Sequence, residues 1–171
     1  MEKLVFDTSA ILNCGKRGES EFLLEHLAKG HALLTTPEVE LELCDPKNAA
    51  YYRALLKKLF RVQGAKEVKV DLATLRRLTA LLGGGELSVI LLGMELSAMV
   101  VLDDKVARAQ AVALNLKVTG TLGLLGEGVQ RKWCTDEQCI GIVRRLRKNG
   151  FRIRRPGANE SFREYFASFS A

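Results

Sequence analysis

Short apolar runs that stop on an acid or a threonine recur along this 171-residue chain, separated by stretches of helical periodicity. Leu4-Val5-Phe6 ends on Asp7, Ala32-Leu33-Leu34 ends on Thr35, and residues 98–102 end on Asp103-Asp104. Runs that are apolar on consecutive positions, without alternation, belong to strands buried on both faces. Interleaved with helices, such strands imply a parallel sheet covered on both sides, with a binding crevice at the strands' carboxyl ends.

The intervening segments agree with that plan. Residues 19–29 place Phe22, Leu23 and Leu27 on one side of a helix. Thr36 is an N-cap and Pro37 a first-turn residue for the next helix, with Glu42 one and a half turns along. Tyr51, Tyr52, Leu55, Leu56, Leu59 and Phe60 extend a helix over residues 46–61, and residues 67–70 alternate as a strand. Asp71 caps a helix over 72–82, which Gly83-Gly84-Gly85 breaks. Another helix starts at Glu86 and is apolar almost all round, so it should be central and buried.

A further helix follows over residues 105–114, then a short turn and strand at 115–118. Thr119-Gly120-Thr121-Leu122-Gly123 leads into one more helix. Beyond Lys132 the pattern changes. Thr135 and Gln138 form a capping box for a helix to about residue 148, residues 151–153 are extended, and Pro156-Gly157 turns into a last helix carrying Phe162, Tyr165, Phe166 and Phe169 on one side. The expected organisation is an α/β domain over residues 1–132 with a helical C-terminal extension, residues 133–171, packed on it.

No apolar run approaches the roughly 20 residues that span a bilayer. The opening Met-Glu-Lys leads directly into a strand, so the expectation is a cytosolic protein with no membrane association. Cys14, Cys44, Cys134 and Cys139 lack the paired spacing of a zinc site and read as reduced thiols. His26 and His31 read as surface or satisfied core residues rather than ligands.

The net charge of +6 is segregated. Residues 1–130 carry 16 Lys plus Arg against 16 Asp plus Glu, whereas residues 131–171 carry 10 against 4 and hold the whole excess. Arg144, Arg145, Arg147, Lys148, Arg152, Arg154 and Arg155 are therefore candidate contacts to a polyanion, the plainer alternative being a solvated charged helix face.

The candidate chemistry lies in acids distant in the chain that the sheet would gather at one edge: Asp7, Glu42, Glu86, and Asp103 with Asp104. Converging carboxylates repel, and such a cluster usually holds a divalent cation. Mg2+ and Mn2+ prefer oxygen ligands, and one or two such ions could activate a water for phosphodiester hydrolysis. Each acid taken singly has a simpler reading as a helix cap, an exposed acidic face or a dipole partner. Thr8, Ser9, Thr119 and Thr121 are candidates for orienting the site or holding a phosphate, although Thr119 and Thr121 would equally suit a capping turn.

The ordered motifs resemble those of PIN domains: Asp7-Thr8-Ser9 after a strand, Thr36-Pro37-Glu38-Val39 with Glu42 beyond, Gly85-Glu86-Leu87-Ser88-Val89-Ile90, and Val101-Leu102-Asp103-Asp104-Lys105-Val106-Ala107-Arg108. Lys117 to Gly123 and Gly150 to Ile153 add likeness to a prokaryotic PIN-like branch. The resemblance implies a three-layer α/β fold and a ribonuclease site in which Asp7, Glu42, Glu86 and either Asp104 or Asp103 hold Mg2+ or Mn2+. It further implies RNA as substrate, a homodimer, and for many small members a toxin role neutralised by an antitoxin protein. The residues do not distinguish RNA from DNA. The alternative, from another class, is a catalytically inactive PIN-like module that binds nucleic acid or a partner through its basic tail.

Overall fold

The computed structural model of the protein describes residues 1–43, 49–67 and 70–169. Five parallel strands form one sheet: β1 (Glu2–Phe6), β2 (His31–Thr35), β3 (Phe60–Val62), β4 (Met99–Val101) and β5 (Val118–Thr119), in the order β3-β2-β1-β4-β5. The register aligns Leu4 with both Leu33 and Met99. Neighbouring residues of a strand face opposite sides, and Val5 and Phe6, like Val100 and Val101, are both fully buried. The sheet is therefore covered on both faces, as the consecutive apolar runs require.

Ten helices surround it among the described residues: α1 (Thr8–Cys14), α2 (Glu21–Gly30), α3 (Pro37–Glu42), α4 (Ala49–Leu59), α5 (Leu72–Leu81), α6 (Gly84–Leu96), α7 (Lys105–Ala113), α8 (Thr121–Gln130), α9 (Asp136–Lys148) and α10 (Phe162–Ala167). The helix α6, apolar all round, packs on β1 and β4 and touches α3, α5 and α7. In a second group, α2 packs on β2 and meets α1, α4 and α8, while α9 and α10 lie against α8. The architecture is the three-layer α/β fold expected from the strand and helix alternation.

Capping chemistry sets most helix starts. Thr36, Asp71, Asp104, Thr135 and Ser161 each accept a backbone N–H of the first turn, and Thr135 with Gln138 makes the expected capping box. One strand departs from the sequence reading. Residues 60–62 form β3, paired with β2, where periodicity continued a helix to 61. Leu59 and Phe60 keep the helical spacing, but Phe60 turns its ring edge onto Phe6 at 5.3 Å, and this long-range packing makes the segment a strand. The strand expected over 67–70 lies partly outside the described residues, as does Cys44.

Candidate active site

The chain builds the sheet outward from β1 in both directions, so the strand order reverses between β1 and β4. Ligands of open α/β sheets bind outside the carboxyl ends of the strands at such a point. Asp7 follows β1 there, its backbone N–H donating to Val101 O at 3.1 Å, and Asp103 follows the adjacent β4 two residues after Val101. Asp7 is only 2% exposed, and its Oδ1 accepts the Ala10 N–H at 2.7 Å. The capping role and the site role of Asp7 are therefore compatible, because one carboxylate oxygen suffices for the cap.

Burial above all, and then the charges of Asp103 and Glu86, push the Asp7 carboxyl up to about 7, against the opposing pull of the Ala10 and Asp103 N–H groups. No Lys, Arg or His forms an ion pair with it among the described residues. Burial thus favours the protonated form of Asp7, and a cation bound beside it would favour the carboxylate.

Asp103 and Asp104 have separate jobs. Asp103 is held by three neutral donors: Asn13 Nδ2 at 2.9 Å and Thr121 Oγ1 at 2.6 Å on Oδ2, and the Thr121 N–H at 2.8 Å on Oδ1. Asp104 is exposed, and its Oδ1 accepts the N–H groups of Val106 and Ala107 at the start of α7. Of this pair, the structure turns Asp103 toward Asp7.

Glu42, the last residue of α3, accepts Thr8 Oγ1 on one oxygen and the Gly85 N–H at 2.9 Å on the other. A Cβ on Gly85 would fall 2.6 Å from Glu42 Oε2, so a side chain there would displace the carboxylate from its present position. Glu86, half-buried in the first turn of α6, accepts the Gly83 N–H at 3.0 Å. Ser9 is exposed, while Thr119 is half-buried in β5. Among the described residues, no three Asp, Glu, His or Cys side chains already stand as a metal-ligating group. The charges of Asp103 and Glu86 reach Asp7, while Glu42 and Glu86 rest on backbone donors.

Asn13 was not among the candidates read from the sequence. Asn13 is a polar residue only 9% exposed near the end of α1, after Ala10-Ile11-Leu12, and a polar position following that apolar run was the available signal. Gly120 stands where a Cβ would lie 2.7 Å from Arg108 Nη1, 2.8 Å from Leu102 O and 2.9 Å from Asp103 Oδ1, so the backbone there approaches the Asp103 loop closely. Under the site, burial pushes the Cys14 thiol up to about 12, which leaves it a packing residue.

From Asp103 and Asp104 a groove of about 1140 Å³ runs past Lys105, Arg108, Arg131 and Arg152. The other tail cations divide. Arg144, Lys148 and Arg155 are exposed. Arg145 instead reaches Asn13 O at 2.8 Å, Ser20 Oγ at 3.1 Å and Glu19 at 2.7 Å, Arg147 bonds Arg154 O and Tyr165, and Arg154 pairs with Glu160.

Asp7 and Asp103 thus stand at the switch point of a parallel α/β sheet, the place where such folds bind their ligands. The chain belongs to the PIN-domain family: the family model DUF3368, described as a PIN domain, matches residues 3–165. PIN domains are in general nucleases that use divalent metal ions. No curated protein matches the chain, and among the described residues no helix is long and apolar enough to cross a membrane.

Proposed function

We propose that this protein is a Mg2+- or Mn2+-dependent endoribonuclease that hydrolyses phosphodiester bonds in RNA. The observation that carries the proposal is the buried Asp7, crowded by the charges of Asp103 and Glu86 with no basic partner among the described residues. The donor set around it consists of carboxylate and neutral oxygens, which suits a hard cation. Asp7, Asp103 and Glu86 would hold the ion, with Glu42 as a fourth carboxylate. Asp104 is left to its helix cap. Bound there, the ion would supply an activated water and neutralise charge at the phosphorus and leaving oxygen.

The chain's own groups do the positioning. Asn13 and Thr121 fix the Asp103 carboxylate, and Thr8 with the Gly85 N–H fixes Glu42. Lys105 and Arg152 line the groove that opens at Asp103, where phosphates of a bound strand would lie. Cleavage of single-stranded RNA should require Mg2+ or Mn2+ and stop with EDTA. Asp7→Asn keeps an oxygen for the Ala10 cap, so wild-type cleavage rates in that variant would end the proposal.

A second reading rests on one observation: Glu42 and Glu86 are already engaged by backbone N–H groups, and no three ligating side chains stand together among the described residues. On that reading the protein is a catalytically inactive nucleic-acid-binding module. RNA binding that survives chelation, with no turnover in Mg2+ or Mn2+, would select it. A toxin role would show as co-purification with the product of a neighbouring gene.

A further inference from the structure

Cys134 and Cys139 lack the paired spacing of a zinc site, yet their sulfur atoms stand 2.7 Å apart. The cause is the start of α9. Thr135 is the N-cap, so Cys134 precedes the cap and Cys139 is the fourth helical residue. Side chains at those two positions meet across the first turn, the arrangement that usually packs two apolar residues as a staple. The capping box holds the turn in place, with the Thr135 N–H on Gln138 Oε1 at 2.9 Å and the Gln138 N–H on Thr135 Oγ1 at 3.3 Å.

The geometry points to Cys134 and Cys139 as an oxidation site, at which a peroxide converts the two thiols into an intramolecular disulfide across the first turn of α9. The sulfurs need approach by only about 0.7 Å to reach a bond of roughly 2.04 Å. Access assigns the order of attack. Cys134 is half-exposed and Cys139 is buried, so Cys134 meets the oxidant and Cys139 resolves it. The shared contact works in the same direction: donation from Cys139 pulls the Cys134 thiol below its ordinary value, while the same contact and burial push Cys139 up.

In the first step the Cys134 thiolate attacks one peroxide oxygen and the O–O bond breaks. A sulfenic acid forms, and the departing hydroxide takes a proton to become water. The Cys139 sulfur then attacks the Cys134 sulfur, the S–S bond forms and the S–O bond breaks. The second water carries away the Cys139 proton. Two thiols and one hydrogen peroxide give one disulfide and two waters.

The bond would lock the joint between α8 and α9. Trp133 donates its N–H to Gly128 O at 2.8 Å and stacks on His26 of α2 at 5.5 Å, so the residue beside Cys134 is wedged between two helices. Trp133 is the only tryptophan of the chain and reports on the joint directly.

The test uses the full chain, hydrogen peroxide and then dithiothreitol. Of the four thiols, two should be lost, with the mass lower by about 2 Da and both changes reversed by dithiothreitol. Cleavage after Lys132 and Arg144 leaves both cysteines on one peptide, and that peptide should carry the loss. Trp133 fluorescence should fall and recover with it, and Cys134→Ser should abolish every change. Cys139→Ser should leave Cys134 as an unlinked sulfenic acid. Retention of all four thiols, over-oxidation of Cys134 without linkage, or a bond to Cys44 would each overturn the inference. Peptide mapping of the wild type decides the matter even if the Cys139 variant fails to fold, and no readout depends on RNA cleavage.

Discussion

Two carboxylates show how differently the two ends of the molecule use charge. Asp7, at the carboxyl edge of the sheet, is pushed up to about 7 by burial and by other acids, whereas Glu160, in the tail, is held at about 2 chiefly by its bond to Arg154. The sheet edge crowds like charges and holds Asp103 and Glu42 with the neutral donors Asn13, Thr121, Thr8 and the Gly85 N–H. The tail does the reverse. Although it contains the chain's whole positive excess, Arg145, Arg147 and Arg154 are used internally, on Glu19, Tyr165 and Glu160. A run of basic residues is therefore not the same as a cationic surface, and a buried acid with no ion pair among the described residues is the rarer and more informative feature.

The largest test of this contrast is Asp7→Asn, which should lower RNA cleavage by about 100-fold or more while leaving the fold intact. It also checks the titration. Because the folded protein holds Asp7 above its ordinary 3.8, the stability it confers is full below that value and is lost as pH rises through about 7. Chemical denaturation of metal-free protein should therefore show stability falling from pH 4 to pH 8, and the Asn variant should show a flatter profile.

Next in size is Arg145→Ala. Its side chain is 13% exposed and ties α9 to Asn13 and Ser20, so its loss should cost about 2–4 kcal/mol and lower Tm by roughly 5–10 °C. Gly85→Ala should change stability by less than about 1 kcal/mol, because the methyl group meets only the movable Glu42 carboxylate, and should show instead as reduced cleavage once that carboxylate is displaced. The smallest effect is expected for Arg152→Ala, which is exposed in the groove. Its stability should move by less than about 0.5 kcal/mol, while RNA binding weakens and becomes less dependent on salt. Equal loss of stability in Arg145→Ala and Arg152→Ala would erase the distinction between structural and surface cations.

Much of this fold is legible without coordinates. Consecutive apolar runs ending on Asp7 and Asp103 mark buried parallel strands, and capping residues such as Thr36, Asp71 and Thr135 set helix starts within a residue or two. β3 was not legible, because Leu59-Phe60 keeps helical spacing and only the contact with Phe6 and β2 makes it a strand. The Gly83-Gly84-Gly85 run was legible as the break after α5, but Gly84 and Gly85 belong to α6, and the bond from the Gly85 N–H to Glu42 joins two segments 43 residues apart.

By itself the chain determined which elements form, their order, and the presence of acids at strand ends, since periodicity and capping are properties of neighbouring residues. Only the tertiary structure decided that Asp103 faces Asp7 while Asp104 caps α7, and that Arg145 is a strap and Arg152 a surface group. Where a side chain points, and what it meets there, depends on how separate elements pack, and local pattern carries little of that information.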